Sequence, residues 1–280
     1  MYNQAIEIGG LAVVTGGASG VGLAAAERFA QAGLSVMLAD VSGDTLQQAK
    51  ERIQRHLQGN AQVHTMITDV SDASAVQALA DAAFDAGNVA VLMNNAGIGR
   101  PSGSWTEPDA WRETINVNLF GVLNGVQAFL PRMIEAATPA VVINTGSKQG
   151  ITTPPGNPAY NVSKAGVKVL TEALAYELRN VDAPITAHLF VPGFTYTGMI
   201  ARHIPQKPDS AWTSEQTVDH LIEHMSKGDF YILCPDNDVS PDRDKRRVTW
   251  ALGDIVENRP ALSRWHPDYA DAFADFENSN

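Results

Sequence analysis

The sequence predicts an α/β protein in which a doubly wound parallel sheet carries helices on both faces. Short, β-branched and almost wholly apolar runs alternate with longer stretches of helical spacing. Apolar runs of that length suit strands buried on both faces. Strand–helix alternation sustained along a chain points to crossover connections and parallel strands. A glycine-rich turn joins the first apolar run to the first helical stretch.

Taken in order, the expected strands are Leu11–Thr15, Ser35–Asp40, 63–68, Val89–Asn94, Ala140–Thr145 and Ile185–Val191, with a further strand-like run at 230–235. The expected helices are 22–32, 44–58, 74–86, 109–135 and 159–180, and a further helical pattern covers 242–257. The helix at 109–135 should end near Pro131, because a proline ring fits a helix interior poorly. No Pro/Gly/Ser-rich linker or internal repeat divides the chain, so 1–280 reads as one domain.

The 280 residues suffice to bury a substantial core, and 44% hydrophobic with 18% charged residues is ordinary for a globular protein. A formal charge of −11 disfavours nucleic acid or an anionic membrane as the main partner. The single cysteine, Cys234, excludes an internal disulfide; it fits a reducing compartment and a buried strand position. No basic segment precedes an apolar run at the N-terminus, and no apolar stretch is long enough to span a bilayer. The expected location is the cytoplasm.

The turn Thr15-Gly16-Gly17-Ala18-Ser19-Gly20-Val21-Gly22 lies between a strand and a helix. Gly16 permits a tight exit from the strand, Gly20 lets backbone approach a pyrophosphate, and Gly22 lets the helix pack on the sheet. The helix N-terminus adds free N–H groups and a positive dipole end. Gly16, Ser19, Gly20, Val21 and Gly22 therefore form the expected phosphate cradle of a Rossmann-type dinucleotide site. Asp40, at the end of the second strand, is placed to accept from adenosine ribose hydroxyls, or else to cap the helix that follows. Its charge opposes a 2′-phosphate, and the glycine turn holds no arginine or lysine, which favours NAD over NADP.

Tyr160 and Lys164 are four apart on a helical stretch and share a face, and Ser147 lies thirteen positions upstream of Tyr160. A free phenol titrates near pH 10, and a neighbouring ammonium favours the phenolate. The spacing thus predicts a Tyr160 acid/base whose pKa Lys164 lowers.

Thr-Gly-x-x-x-Gly-x-Gly at 15–22, Asn-Asn-Ala-Gly at 94–97, Val117-Asn118-Leu119, Ser147, Tyr160-x-x-x-Lys164 and Pro192-Gly193 occur in order at matching intervals. Together they resemble the short-chain dehydrogenase/reductase family over roughly residues 9–200. The resemblance implies hydride transfer between a nicotinamide and a carbinol carbon, with Tyr160 as acid/base. By the same resemblance Lys164 tunes Tyr160 and binds the nicotinamide ribose, and Ser147 donates to the substrate oxygen. Asn118, rather than nearby Asn116, holds a water linking Lys164 to solvent. Asn95, Ala96 and Gly97 flank the adenine-ribose side, and Asp69 and Val70 flank the adenine, although Asp69 also suits a helix cap. Pro192, Gly193, Thr195 and Thr197 meet the nicotinamide carboxamide.

Substrate specificity should lie in a lid at about 194–226, with Met199, Ile200, Ile204 and Trp212 as apolar lining and a Thr213–Gln216 capping box. Residues 102–105 and 154–156 supply the other walls. No arginine stands at an obvious carboxylate or phosphate site, with Arg100 and Arg202 the nearest candidates. A neutral, fairly hydrophobic secondary alcohol or ketone is expected. His220 and His224 are four apart without further ligand pattern, so no metal is expected. The segment at about 236–280 departs from the family pattern; it can cover the pocket, cover a neighbouring subunit or fold on its own domain. A homodimer through 109–135 and 159–180 or a homotetramer is the expected assembly. Two other uses of the fold stay open: non-redox dehydration or epimerisation, and a non-catalytic NAD-binding sensor.

Overall fold

Residues 1–55, 57, 59–201 and 204–278 are described by the computed structural model. Among them, β1 (Leu11–Thr15), β2 (Ser35–Asp40), β3 (Val63–Ile67), β4 (Val89–Asn94), β5 (Ala140–Thr145), β6 (Ile185–Val191) and β7 (Tyr231–Leu233) form one sheet. The order is β3-β2-β1-β4-β5-β6-β7, and every pairing is parallel. The helices are α1 (Tyr2–Ile8), α2 (Gly20–Gln31), α3 (Gly43–Gln54), α4 (Ala73–Ala86), α5 (Pro108–Ile115), α6 (Gly121–Ala136) and α7 (Gln149–Thr152). After them come α8 (Pro158–Leu178), α9 (Gly198–Ala201), α10 (Ser214–Lys227), α11 (Pro241–Val256) and α12 (Ala270–Asn278).

The central strands β1, β4 and β5 are buried along their whole length because both faces are covered. On β1, Ala12 and Val14 join a core with Phe29, Leu46 and Leu221, from α2, α3 and α10. Leu11 and Val13 join the opposite core with Leu79, Phe129 and Leu174, from α4, α6 and α8. Strand alternation divides one run between two cores. The connections run outward from β1 in one direction and from β4 in the other, so a crevice opens beyond the carboxyl ends of these two neighbours.

Four local expectations need correction. Helix α6 continues through Pro131 to Ala136. Pro131 and Gln127, whose carbonyl loses its partner, are both exposed, so water satisfies the group left free. The continuous helix at 109–135 is instead two α-helices joined by a π-helical turn, Asn116–Phe120. Helix α1 was not foreseen: it is short and has no side-chain cap, and burial of Tyr2 and Ala5 holds it. The helix expected over 44–58 ends at Gln54, and residues 56 and 58 lie outside the described residues. Cys234, just after β7, is fully buried, and burial pushes its thiol up to about 12.

Candidate active site

The glycine turn is shaped by contacts that leave no room for side chains. Gly16 and Gly20 have φ of 64° and 54°. A Cβ on Gly22 would lie 2.2 Å from the Gly16 carbonyl oxygen and 2.6 Å from Asn95 Nδ2. Gly20 faces Thr197, whose Cγ2 would be 3.3 Å from an added Cβ. The turn is docked on β2: the Gly17 N–H donates to the Ala39 carbonyl and the Ala18 N–H to Asp40 Oδ2 at 3.2 Å. Asp40 accepts from the Ser42 N–H as well, whereas Ser42 itself occupies the N-cap of α3. The Asp40 carboxylate thus sits at the rim of the glycine turn. A bare-backbone cradle opening α2, with a carboxylate at its rim, fits the phosphates and ribose of a dinucleotide.

Asn95 is fastened at the crevice. Its Nδ2 donates to the Thr15 carbonyl at 3.1 Å, and its Oδ1 accepts from Thr145 Oγ1 at 3.4 Å. Thr15 Oγ1 in turn accepts from the Asn95 and Ala96 N–H groups. Thr15 was quoted in the motif without a role, and its hydroxyl is what clamps β1 to the β4 loop. Asn94 ends β4. Its Nδ2 donates to Asn144 Oδ1 at 2.9 Å, and Asn144 Nδ2 donates to Thr171 Oγ1, a polar chain wholly buried between β4, β5 and α8.

Asp69 does not cap the following helix. It accepts from the N–H and hydroxyl of Ser71, while Asp72 caps α4 by accepting from the Ser74 N–H. Val70 is buried against Gly121, and its carbonyl accepts from Asn124 Nδ2. The 69–70 loop is therefore pinned to the start of α6.

Ser147, Tyr160 and Lys164 converge at the end of β5. Lys164 is 4% exposed, and its Nζ donates to the Thr145 carbonyl at 2.8 Å. It lies 5.8 Å from the centroid of the Tyr160 ring. Burial lowers its ammonium pKa to about 8. Tyr160 differs from expectation: burial raises the phenol, and a side-chain hydrogen bond with Ser147 pulls it back. Burial is the larger effect, and the Lys164 ammonium, which donates to Thr145, stands over the ring at 5.8 Å from its centroid.

Asn118 lies in the π-turn and is fully buried. Its Oδ1 accepts from the Ile98 N–H at 2.8 Å, and its Nδ2 donates to the Ile98 carbonyl and to Ser163 Oγ. A Cβ on Gly97 would lie 3.3 Å from Asn118 Oδ1 and 3.7 Å from Lys164 Nζ, so these two groups share one small space. Asn116 has no place in that contact set. A π-turn inserts a residue and frees backbone carbonyls, a common device at functional sites.

After β6, Gly193 is wedged against the Cys234 and Pro235 carbonyls. Phe194 and Tyr196 pair with Trp212 through backbone bonds, and Thr195 Oγ1 contacts Thr217 Oγ1 at 3.0 Å. Thr195 is thereby turned toward α10, while Thr197 faces the glycine turn. Helix α9 rests on the 97–100 loop, with Met199 Sδ 3.5 Å from a Cβ built on Gly99. Arg100 pairs with Glu113 at 3.0 Å; Arg202 and His203 lie outside the described residues. The His220 and His224 rings stack with centroids 4.1 Å apart, and each has a protein partner, the Leu233 carbonyl and Asp229. Lys148 was not singled out, and it forms an ion pair with Asp244 at 2.6 Å beside Ser147. No helix among the described residues is long and apolar enough to cross a membrane.

A doubly wound sheet with a bare glycine cradle at its switch point and a Ser/Tyr/Lys cluster at the end of β5, two strands away, defines a dinucleotide-dependent oxidoreductase. The chain belongs to the short chain dehydrogenase family, whose pattern it matches over residues 10–208. It is 40% identical over 265 residues to a 1-deoxy-11-beta-hydroxypentalenate dehydrogenase of Streptomyces arenae, covering 91% of this chain and 92% of the relative. A short-chain dehydrogenase/reductase from Burkholderia phymatum, solved in complex with NAD, is 31% identical with a TM-score of 0.79, covering 89% of this chain and 95% of that one. A metagenomic short-chain oxidoreductase, solved with NADP, is 26% identical with a TM-score of 0.67, covering 80% and 96%.

Proposed function

We propose that the protein is an NAD-dependent dehydrogenase that interconverts a neutral, fairly hydrophobic secondary alcohol and its ketone. The observation that carries this reading is the convergence of Ser147, Tyr160 and buried Lys164 at one strand end, across the crevice from the glycine cradle. When bound, NAD supplies the acceptor for the hydride that leaves the carbinol carbon. As the phenolate, which the nearby Lys164 charge would favour, Tyr160 takes the hydroxyl proton, and Ser147 donates to the same substrate oxygen as its charge changes. Lys164 holds positive charge near the phenol, and Asn118 would hold a water through which the proton passes from Lys164 to solvent.

Asp40 at the rim of the cradle supports NAD, as does the NAD complex of the Burkholderia relative. The substrate class rests on the exposed apolar side chains of Met199 and Ile204 in the lid, and on the engagement of Arg100 by Glu113. The Streptomyces relative is named for dehydrogenation of a hydroxyl-bearing carboxylate, which agrees with the alcohol but not with a neutral charge. The whole chain reads as one domain, assembling as a dimer or tetramer.

Near-ultraviolet absorbance of NADH over a panel of secondary alcohols tests the reaction. Tyr160→Phe should lower turnover by at least about a hundredfold and leave NAD affinity unchanged. A Phe variant with full rate overturns the role of Tyr160, and NAD binding without turnover of any alcohol or ketone favours a sensor.

A further inference from the structure

Beside the catalytic cluster lies a second set of charges that the reaction does not use. Lys148 follows Ser147 directly, and its ammonium lies 2.6 Å from Asp244 Oδ2 and 3.4 Å from Asp236 Oδ2. Both carboxylates are nearly buried, with side chains 8% and 6% exposed. Asp236, beyond β7, accepts the Phe194 N–H at 3.2 Å on Oδ2 and the Val239 N–H at 2.9 Å on Oδ1. One carboxylate thereby joins the loops after β5, β6 and β7 on the cofactor side of the sheet.

Asp244 brings in the C-terminal segment. It stands in the first turn of α11, which packs against α7, the short helix that follows Ser147. Helix α11 is in turn bound to α12, where Glu277 pairs with Arg243 at 2.8 Å and Arg247 at 2.7 Å. Two carboxylates held against one ammonium in a largely dry place fix its position far better than a solvated pair does.

We propose that Lys148, Asp236 and Asp244 are positioning residues through which the C-terminal segment holds the Ser147 hydroxyl and the Phe194 backbone in their working places. The proposal rests on the reading of Ser147 as donor to the substrate oxygen. It assigns the 236–280 extension to the chain's own active site.

The test uses full-length Lys148→Met, Lys148→Arg and the double variant Lys148→Met with Asp244→Leu. Lys148→Met should lower kcat by about ten- to a hundredfold, because small misplacements of catalytic groups are costly. KM for alcohol and NAD should change less than about threefold, the mark of an interaction lost in the transition state. Lys148→Arg should recover most of kcat. The double variant removes Lys148 and Asp244 together, leaves Asp236 held by the Phe194 and Val239 N–H groups, and should regain most of the thermal midpoint without regaining kcat. Amide hydrogen exchange should rise in Lys148→Met at 146–152 and 193–197. Unchanged kcat in Lys148→Met, or kcat returning together with the thermal midpoint, would overturn the proposal. Should the wild type turn over no alcohol, the proposed reaction fails, and exchange alone decides: unchanged protection at both segments refutes the positioning role.

Discussion

Replacing Lys164 with Met should separate stability from activity. Lys164 is 4% exposed, and lowering its pKa from the ordinary 10.5 to about 8 means that the folded state disfavours the ammonium. The difference corresponds to about 3 kcal/mol, which the protein bears at neutral pH. The unfolded chain holds the proton up to its ordinary pKa, so between about pH 8 and 10.5 it binds more protons than the folded one. Wild-type stability should therefore rise across that window relative to the variant, by up to about 3 kcal/mol. Met fills the same space without charge but orphans the Thr145 carbonyl, which costs about 1–3 kcal/mol. At pH 7 the two effects nearly cancel, with the variant equal to or up to about 2 kcal/mol above wild type. Turnover should meanwhile fall at least about a hundredfold. Urea denaturation of both proteins at intervals from pH 7 to 10.5, without added cofactor, measures the difference. A stability gap between the two that does not change with pH would refute the buried-ammonium argument.

Two further outcomes follow from contacts already described. Asp40→Ser removes the charge opposed to a 2′-phosphate and should raise the ratio of kcat/KM for NADP over NAD by at least about tenfold; an unchanged ratio means that Asp40 does not set cofactor choice. Gly125→Ala places a Cβ 2.0 Å from Asn94 Oδ1 and should destabilise the protein by about 1–3 kcal/mol, read as a lower thermal midpoint. Adding Asn94→Ala should recover part of that loss, and strict additivity of the two changes would show that they do not meet.

The sheet was largely legible because strands buried on both faces need apolar, β-branched runs, and Leu11–Thr15 or Ile185–Val191 have no other reading. The glycine turn and the Tyr160–Lys164 pair were legible for a similar reason, since local spacing alone brings their groups together. Features set by tertiary contact were not. Pro131 looks like a helix end until its turn is seen to face solvent, and nothing in Val-Asn-Leu-Phe announces a π-turn. Asp69 and Asp72 stand three residues apart and are equally good caps, and only the start of α4 decides between them. The direction of the Tyr160 shift is set by burial in the folded chain, which local spacing does not reveal. Lys148 went unnoticed because its partner Asp244 lies far along the chain, where no local pattern marks it.

The Lys148–Asp244 contact also has a timing. Chains leave the ribosome N-terminus first, and domains begin to fold as they emerge. All seven strands, the glycine turn and the Ser147–Tyr160–Lys164 cluster precede Asp244 in order of synthesis. A nascent or prematurely terminated chain can thus lay down its sheet and catalytic side chains while the loop beside Ser147 still lacks its last anchor. By this logic, competence arrives only once the segment carrying Asp244 has been made, and products that stop short of it carry the machinery without the brace that readies it.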